Sequence, residues 1–219
     1  MKTYKALSAL LTYPEPALLA NTEALSAAIS AEGLLPAAHE AALESFLADL
    51  AALDPLEAQE RYVALFDRNR SLSLHLYEHV HGESRDRGQA MVQLGEIYWL
   101  HGVEIDAHEL PDYLPLFLEF LSLLPPKAAA SLLSEAVHVV AALRERLAKR
   151  GSPYAAVMGA IVALAAKPAE RTAIEEVLAA LKPEADSPEA LDRQWEEETV
   201  RFSTAGGPDQ AAIASGCGR

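Results

Sequence analysis

Cysteine, aromatic residues and long apolar runs are all scarce in this sequence. Its 219 residues include one cysteine, Cys217, so an internal disulfide is excluded and nothing indicates an oxidising compartment. Aromatic residues make up 6% of the chain although 51% is hydrophobic, a balance that favours packed helices over a β-sandwich. No run approaches the roughly 18 uncharged apolar residues of a membrane span. We therefore expect a cytoplasmic protein with no direct membrane insertion.

Several motifs of common enzymes are missing as well. The sequence has no G-x-S-x-G, G-x-x-x-x-G-K-S/T or G-x-G-x-x-G pattern, so neither a serine nucleophile nor a phosphate-binding loop is indicated. Acidic residues outnumber Lys and Arg by 32 to 18, which gives a formal net charge of −14. That charge disfavours nucleic acid as a partner, and it suits either a basic partner or simple solubility.

Apolar residues recur at helical spacing along residues 1–182 and predict an all-α, single-domain helical bundle. Asp54-Pro55 is a clear helix start, with an acid as the cap and proline at the first helical position. We expect Asp112 to cap a later helix in the same way. A long helix with a buried apolar stripe is predicted to end at Gly151.

The end of the chain has a different composition. Residues 183–202 form an acidic C-terminal extension that could hold one further helix, with Trp195 and Phe202 as apolar anchors. Residues 203–219 are small and polar, a composition typical of a disordered tail.

The segment Leu74–Met91, LHLYEHVHGESRDRGQAM, departs from the helical pattern, and we call it the histidine-rich segment. Its imidazoles and charges cost stability unless they pair or stay hydrated, so the cluster indicates a function at the surface. His75, His79 and His81 raise the alternative of a metal-dependent helical hydrolase. The spacing is not H-E-x-x-H, however, and unligated imidazoles are the commoner case, so we predict no metal and no other cofactor.

Leu72, Leu74 and Leu76 alternate with polar residues at the start of this segment. Alternation is typical of a strand, but the rest of the sequence indicates no partner strand. We therefore predict a loop or a short helix that leads into the charged cluster.

The histidine-rich segment and its flanks resemble a known family. SLHLYEHVHGESRDRGQAM, which begins at Ser73, is similar to the signature segment of the NarJ family of nitrate reductase assembly chaperones, within the wider TorD and DmsD group. Three further blocks agree in the same order along the chain: LDPLEAQERYVALFDRNR at residues 53–70, ELPDYLPLFLEFLSLLP at residues 109–125 and ALDRQWEEETVRF at residues 190–202.

The resemblance implies a helical bundle of the TorD-like chaperone type that performs no catalysis. Such chaperones bind the apo catalytic subunit of nitrate reductase in the cytoplasm, partly through its N-terminal segment. They assist insertion of the molybdenum cofactor, delay membrane docking and are not part of the final enzyme. The wider group carries a Pro-Asp-His motif, which matches Pro111, Asp112 and Tyr113 here, with tyrosine in place of the histidine.

We predict that the client binds to polar residues of the histidine-rich segment, to a second polar group beside them, and to an apolar groove. In helix-in-groove binding, buried apolar anchors supply the affinity, and rim charges select a basic segment. The polar residues predicted to bind the client are His79, Glu83, Arg85, Asp86, Arg87 and Gln89, together with Glu109, Asp112, Tyr113 and Glu119. The predicted groove residues are Leu74, Leu76, Tyr77, Leu114 and Phe117.

Overall fold

The computed structural model describes residues 1–82, 84–105 and 109–180, and in these ranges the regular secondary structure is helical, with no strand. The all-α prediction is confirmed. None of the helices in the described ranges is long and apolar enough to span a bilayer. The helices are α1 (Lys2–Leu10), α2 (Pro16–Ala20), α3 (Thr22–Glu32), α4 (Ala37–Ala51), α5 (Pro55–Tyr62), α6 (Glu78–His81), α7 (Arg85–Leu100), α8 (Leu114–Leu123), α9 (Pro126–Lys149), α10 (Tyr154–Ala163) and α11 (Arg171–Ala180).

The longest helix, α9, organises the core. It packs against α8, α10 and α11, while α1 packs against α8 and α10 packs against α4. The predicted apolar stripe of α9 is confirmed, since Leu133, Val140, Leu143 and Leu147 are all fully buried. Burying one such leucine stabilises the fold by about 1.5–3 kcal/mol.

Two predicted helix boundaries follow from local chemistry and are confirmed. The Asp54 carboxylate accepts a hydrogen bond from the Leu56 N–H at 2.9 Å, and Pro55 is the first residue of α5. Later in the chain, α9 ends at Lys149, two residues before Gly151, whose φ of +64° is the left-handed conformation that side chains disfavour.

The chain after α5 differs from the prediction. The sequence pattern indicates one helix that carries Leu56, Val63 and Phe66, but α5 ends at Tyr62 and Leu56 is 69% exposed. The reason is a π-helical turn, Val63–Asp67, which follows α5 directly and changes the helical phase. Phe66 therefore points into the core, although Leu56 lies on the outer side of the helix.

The segment with alternating leucines is a loop flanked by short helical turns, as predicted. A 3₁₀ turn spans Arg70–Leu72, and the four-residue helix α6 follows after Tyr77. Leu72, Leu74 and Leu76 are all buried in the main core. The predicted extension 183–202 and tail 203–219 lie outside the described residues, so those two predictions stay open.

Candidate functional site

Backbone hydrogen bonds join the histidine-rich segment to the loop that precedes α8. The Leu76 N–H donates to the carbonyl oxygen of Asp112 at 3.0 Å, and the Leu114 N–H donates to the carbonyl oxygen of Leu74 at 2.8 Å. Between these two hydrogen bonds, His75 and Tyr113 form an isolated antiparallel β-bridge. Two of the four blocks of sequence that resemble the chaperone family are therefore neighbours in space.

Asp112 lies at the centre of this junction and is fully buried. Its Oδ2 accepts a hydrogen bond from the Tyr77 N–H at 3.0 Å, and its Oδ1 lies 3.3 Å from Nδ1 of His75. The hydrogen bond to Asp112 raises the pKa of His75, although partial burial of the ring opposes the shift. The carboxylate thus fixes the conformation of the histidine-rich segment.

The prediction that Asp112 caps α8 is wrong. The helix begins at Leu114, its N-cap residue is Tyr113, and no side chain caps it. The Asp112 carboxylate turns inward because the backbone N–H of Tyr77 and the His75 ring supply partners there. Since no part of Asp112 is exposed, a client cannot touch it in this conformation.

Arg87 extends the network towards the surface. Its Nη1 lies 3.2 Å from Oε1 of Glu78, and its Nη2 lies 3.9 Å from Oδ2 of Asp112. The side chain is only 17% exposed, and its Nε is buried with no hydrogen-bond partner among the residues described. Arg87 therefore balances two carboxylates within the chain, whereas its neighbours Arg85 and Asp86 are exposed.

A second network lies behind the first and holds His79, which is 1% exposed. The His79 Nε2–H donates to the carbonyl oxygen of Ser73 at 2.8 Å, and Nδ1 accepts from Arg146 at 3.2 Å. This pair of contacts fixes the neutral tautomer with hydrogen on Nε2. Burial lowers the pKa of His79, and the nearby Arg146 charge lowers it further.

Arg146 is a site residue that the sequence analysis missed. It is 4% exposed and donates to the carbonyl oxygen of Ser71 at 2.8 Å and to those of Val177 and Leu178 at 3.1 and 3.3 Å. One guanidinium in α9 thus joins the histidine-rich segment to α11. The sequence feature that could have identified it is its position, three residues after Leu143 and directly before Leu147, on the largely apolar face of α9.

The three histidines that suggested a metal do not share a site. Asp112 is the partner of His75, Ser73 and Arg146 are the partners of His79, and the His81 ring packs 5.7 Å from the ring of Tyr77. Across the described ranges, no group of three His, Cys, Asp or Glu side chains is arranged to hold a metal ion.

Two predicted polar residues meet beside His75. Tyr113 and Glu109 line a recess of about 160 Å³ with His75 and Asp67. The Tyr113 hydroxyl lies 3.4 Å from that of Tyr62. Tyrosine therefore makes a neutral hydroxyl contact at the position where the wider group has histidine.

The remaining polar predictions fall in three places. Arg85, Asp86 and Gln89 are exposed on the first turns of α7. Glu119 is exposed on α8 and forms an ion pair at 3.8 Å with Lys5 of α1, a contact worth at most about 1 kcal/mol. Glu83 lies outside the described residues.

An apolar groove opens where α6, α7, α8 and α9 meet, and we call it the α6–α9 groove. It has a volume of about 170 Å³, and Val80 at its edge is 55% exposed. Three predicted groove residues line it, namely Leu76, Tyr77 and Phe117, although Leu76 and Phe117 expose only 4% and 3% of their surface. Leu74 and Leu114 belong to the closed core, at 3% and 0% exposure. The other lining residues are Leu94, Ile97, Leu132, Glu135, Ala136 and Val139.

Comparison with known proteins agrees with the resemblance read from the sequence. The chain belongs to the nitrate reductase delta subunit family, whose model matches residues 32–159. It is 44% identical over 209 residues to the nitrate reductase molybdenum cofactor assembly chaperone NarJ of Escherichia coli K12, covering 95% of this chain and 88% of that protein.

Two further relatives have the same kind of name. The probable chaperone NarW of E. coli K12 is 37% identical over 92% of this chain and 84% of its own length. The probable chaperone NarJ of Bacillus subtilis is 32% identical over 74% of this chain and 86% of its own length.

Proposed function

We propose that this chain is a system-specific assembly chaperone of respiratory nitrate reductase. It binds the immature catalytic subunit, keeps it competent for insertion of the molybdenum cofactor, and leaves before the enzyme is complete. The observation that carries the proposal is the 44% identity over 95% of the chain to a protein of that name. The chaperone catalyses no reaction, and it acts in the cytoplasm, where it delays docking of its client to the membrane.

The α6–α9 groove, which Leu76, Tyr77 and Val80 of the histidine-rich segment help to line, is our candidate site for the N-terminal segment of the client. Its floor is made of leucine, phenylalanine and valine side chains, and Tyr77 offers both a ring face and a hydroxyl. An amphipathic helix can place its apolar side chains in such a groove. Glu135 on the rim would attract a basic residue of that helix.

The buried networks support the groove rather than contact the client. Asp112 holds the Tyr77 backbone, and His79 holds α6, which carries Val80 at the groove edge. Arg85, Gln89 and Glu109 are exposed and remain candidates for direct contacts. We therefore divide the predicted site into exposed residues that bind and buried residues that position them.

Calorimetric titration with the N-terminal peptide of the catalytic subunit tests this proposal. Ala136→Trp places an indole ring in the groove and should weaken binding at least about tenfold. Ala128→Trp is the matched control, because Ala128 lies on the same helix, is exposed and does not line the groove. Circular dichroism should show both variants folded.

A cellular experiment tests the role itself. Deletion of the gene should leave an inactive catalytic subunit without molybdenum cofactor, and the Ala136→Trp variant should restore less activity than Ala128→Trp. Full nitrate reductase activity in the deletion strain, or equal peptide binding by the two tryptophan variants, would contradict the proposal.

A further inference from the structure

Two basic side chains from different helices meet over a glycine of α10, the helix that packs against both α9 and α4. Gly159 is buried, and a Cβ added to it would lie 3.5 Å from Nε of Arg144 in α9 and 3.5 Å from Nδ1 of His39 in α4. The two nitrogens are therefore no more than twice that distance apart. Because position 159 has no side chain, both groups reach the same small space.

Neither the guanidinium nor the imidazole has a partner of opposite charge there. Within the part of the chain that the structure describes, neither group forms a hydrogen bond or an ion pair. The acid that directly follows each of them is engaged elsewhere. Glu40 accepts a hydrogen bond from the Ser30 hydroxyl, and Glu145 pairs with Arg171. The donors of both basic groups are therefore available to a ligand.

The adjacent helical turns supply no counter-charge either. Residues three and four positions apart share one face of a helix. All the residues at these distances from His39, Arg144 and Gly159 are apolar, namely Leu35, Pro36, Ala42, Leu43, Val140, Ala141, Leu147, Ala148, Ala155, Ala156, Val162 and Ala163. A chain with a net charge of −14 thus keeps two basic groups together on faces that carry no carboxylate.

The geometry of the donors suits a phosphate group. A guanidinium offers a planar fork of N–H donors that matches oxyanions, and an imidazole nitrogen adds one more donor. Charge-assisted hydrogen bonds of this kind are about 2.7–2.9 Å long, so one anion can contact both groups at their separation. A phosphate brings nearly two negative charges and three acceptor oxygens, whereas a carboxylate brings one charge and two oxygens.

We propose that Arg144 and His39 form a binding site for a phosphate group, carried either by the free ion or by a small phosphate ester. The guanidinium of Arg144 donates to two phosphate oxygens, and the His39 ring donates to the third. Arg144 is exposed and His39 is half-buried, so a ligand can reach both without a rearrangement of the helices. The site is independent of the proposed function, since it requires no part of the nitrate reductase subunit.

Titration of the full-length protein with potassium phosphate at constant ionic strength tests the site. The His39 ring signals and the phosphorus line are followed by nuclear magnetic resonance. We expect a saturable change in both, with a dissociation constant in the millimolar range. Arg144→Gln should weaken binding at least about tenfold, and His39→Leu, followed by the phosphorus line, should weaken it by a similar factor.

Lys149→Gln is the matched control for Arg144→Gln. It removes the same charge from an exposed position on the same helix, so it should leave the affinity unchanged. Circular dichroism should show all three variants folded. Equal weakening by Arg144→Gln and Lys149→Gln would overturn the proposal, because overall charge alone would then account for the effect.

Glycerol phosphate, titrated in parallel, distinguishes an ester from the free ion. Saturable binding of either compound that depends on both Arg144 and His39 supports the site, and the tighter of the two identifies the source of the phosphate group. If neither compound produces a saturable change, the inference is wrong. That result would leave the proposed function untouched, because the peptide titration probes the α6–α9 groove.

Discussion

His75 and His79 lie four residues apart, and their surroundings shift their pKa values in opposite directions. The hydrogen bond with Asp112 raises the pKa of His75, whereas burial and the Arg146 charge lower the pKa of His79. One segment therefore contains a histidine stabilised in its charged form and another stabilised in its neutral form. Their contributions to stability have opposite pH dependence and can be separated by single substitutions.

The first prediction concerns His79. Because its pKa is lowered in the folded protein, its contribution is fully present above the ordinary value of 6.5 and is lost as the pH falls through the lowered value. We expect His79→Asn to lower the free energy of unfolding near pH 8 and to flatten its decline towards about pH 5. Urea denaturation between about pH 5 and about pH 8 measures both the free energy of unfolding and its change with pH. The exposed His101→Asn variant is the control, and an unchanged slope in His79→Asn would count against the prediction.

For His75 the sign is reversed. Its pKa is raised in the folded protein, so its stabilising contact with Asp112 is fully present below 6.5 and is lost as the pH rises through the raised value. The difference in unfolding free energy between the unmodified chain and His75→Gln should be larger near pH 6 than near pH 8.5. A difference that stayed constant across that interval would show that the ring does not pair with Asp112.

Substitution of Arg146 should loosen two distant parts of the chain together. Arg146→Met leaves the carbonyl oxygens of Ser71, Val177 and Leu178 without this donor, and we expect a loss of about 3 kcal/mol. Hydrogen exchange should speed up in both α11 and α6. Lys149→Met, an exposed cation on the same helix, should change stability by less than about 0.5 kcal/mol. Faster exchange confined to α9 would show that Arg146 does not join α6 to α11.

Two glycine substitutions should have opposite effects. Gly88 is inside α7, and an added Cβ meets no atom within 4 Å, so Gly88→Ala should stabilise the chain by about 0.5–1 kcal/mol. Gly151 has φ of +64°, which an alanine tolerates poorly, so Gly151→Ala should destabilise by about 1 kcal/mol. Thermal unfolding of the two variants tests the pair, and a shift of the same sign in both would refute it.

The helices could be predicted because their signals are local. Asp54 and Gly151 specify their boundaries by chemistry within a few residues, and the stripe of α9 follows from spacing alone. The inward turn of Asp112 could not be predicted, since its partners His75 and Tyr77 lie more than 30 residues earlier. The end of α5 at Tyr62 could not be predicted either, because nothing in the sequence marks the π-helical turn that follows it.

The site was recognised by resemblance more than by chemistry. Composition indicated a charged surface at the histidine-rich segment, but His79 is buried and Arg87 mostly so. Their burial depends on Arg146 of α9 and on Asp112 in the loop before α8, which lie far away along the chain. Sequence spacing carries no information about such contacts, so the division into positioning and exposed residues required the structure.

The contacts of Arg146 also constrain when the fold can be completed during translation. Its guanidinium contacts Ser71, 75 residues earlier, and Leu178, 32 residues later. A nascent chain that has not yet released residue 178 from the ribosome cannot complete this set of contacts. Translation proceeds at about 5–20 residues per second, so several seconds pass between the emergence of the histidine-rich segment and the completion of its hydrogen bonds with Arg146. All the contacts that hold the histidine-rich segment can therefore form only when nearly all of the helical bundle has been translated.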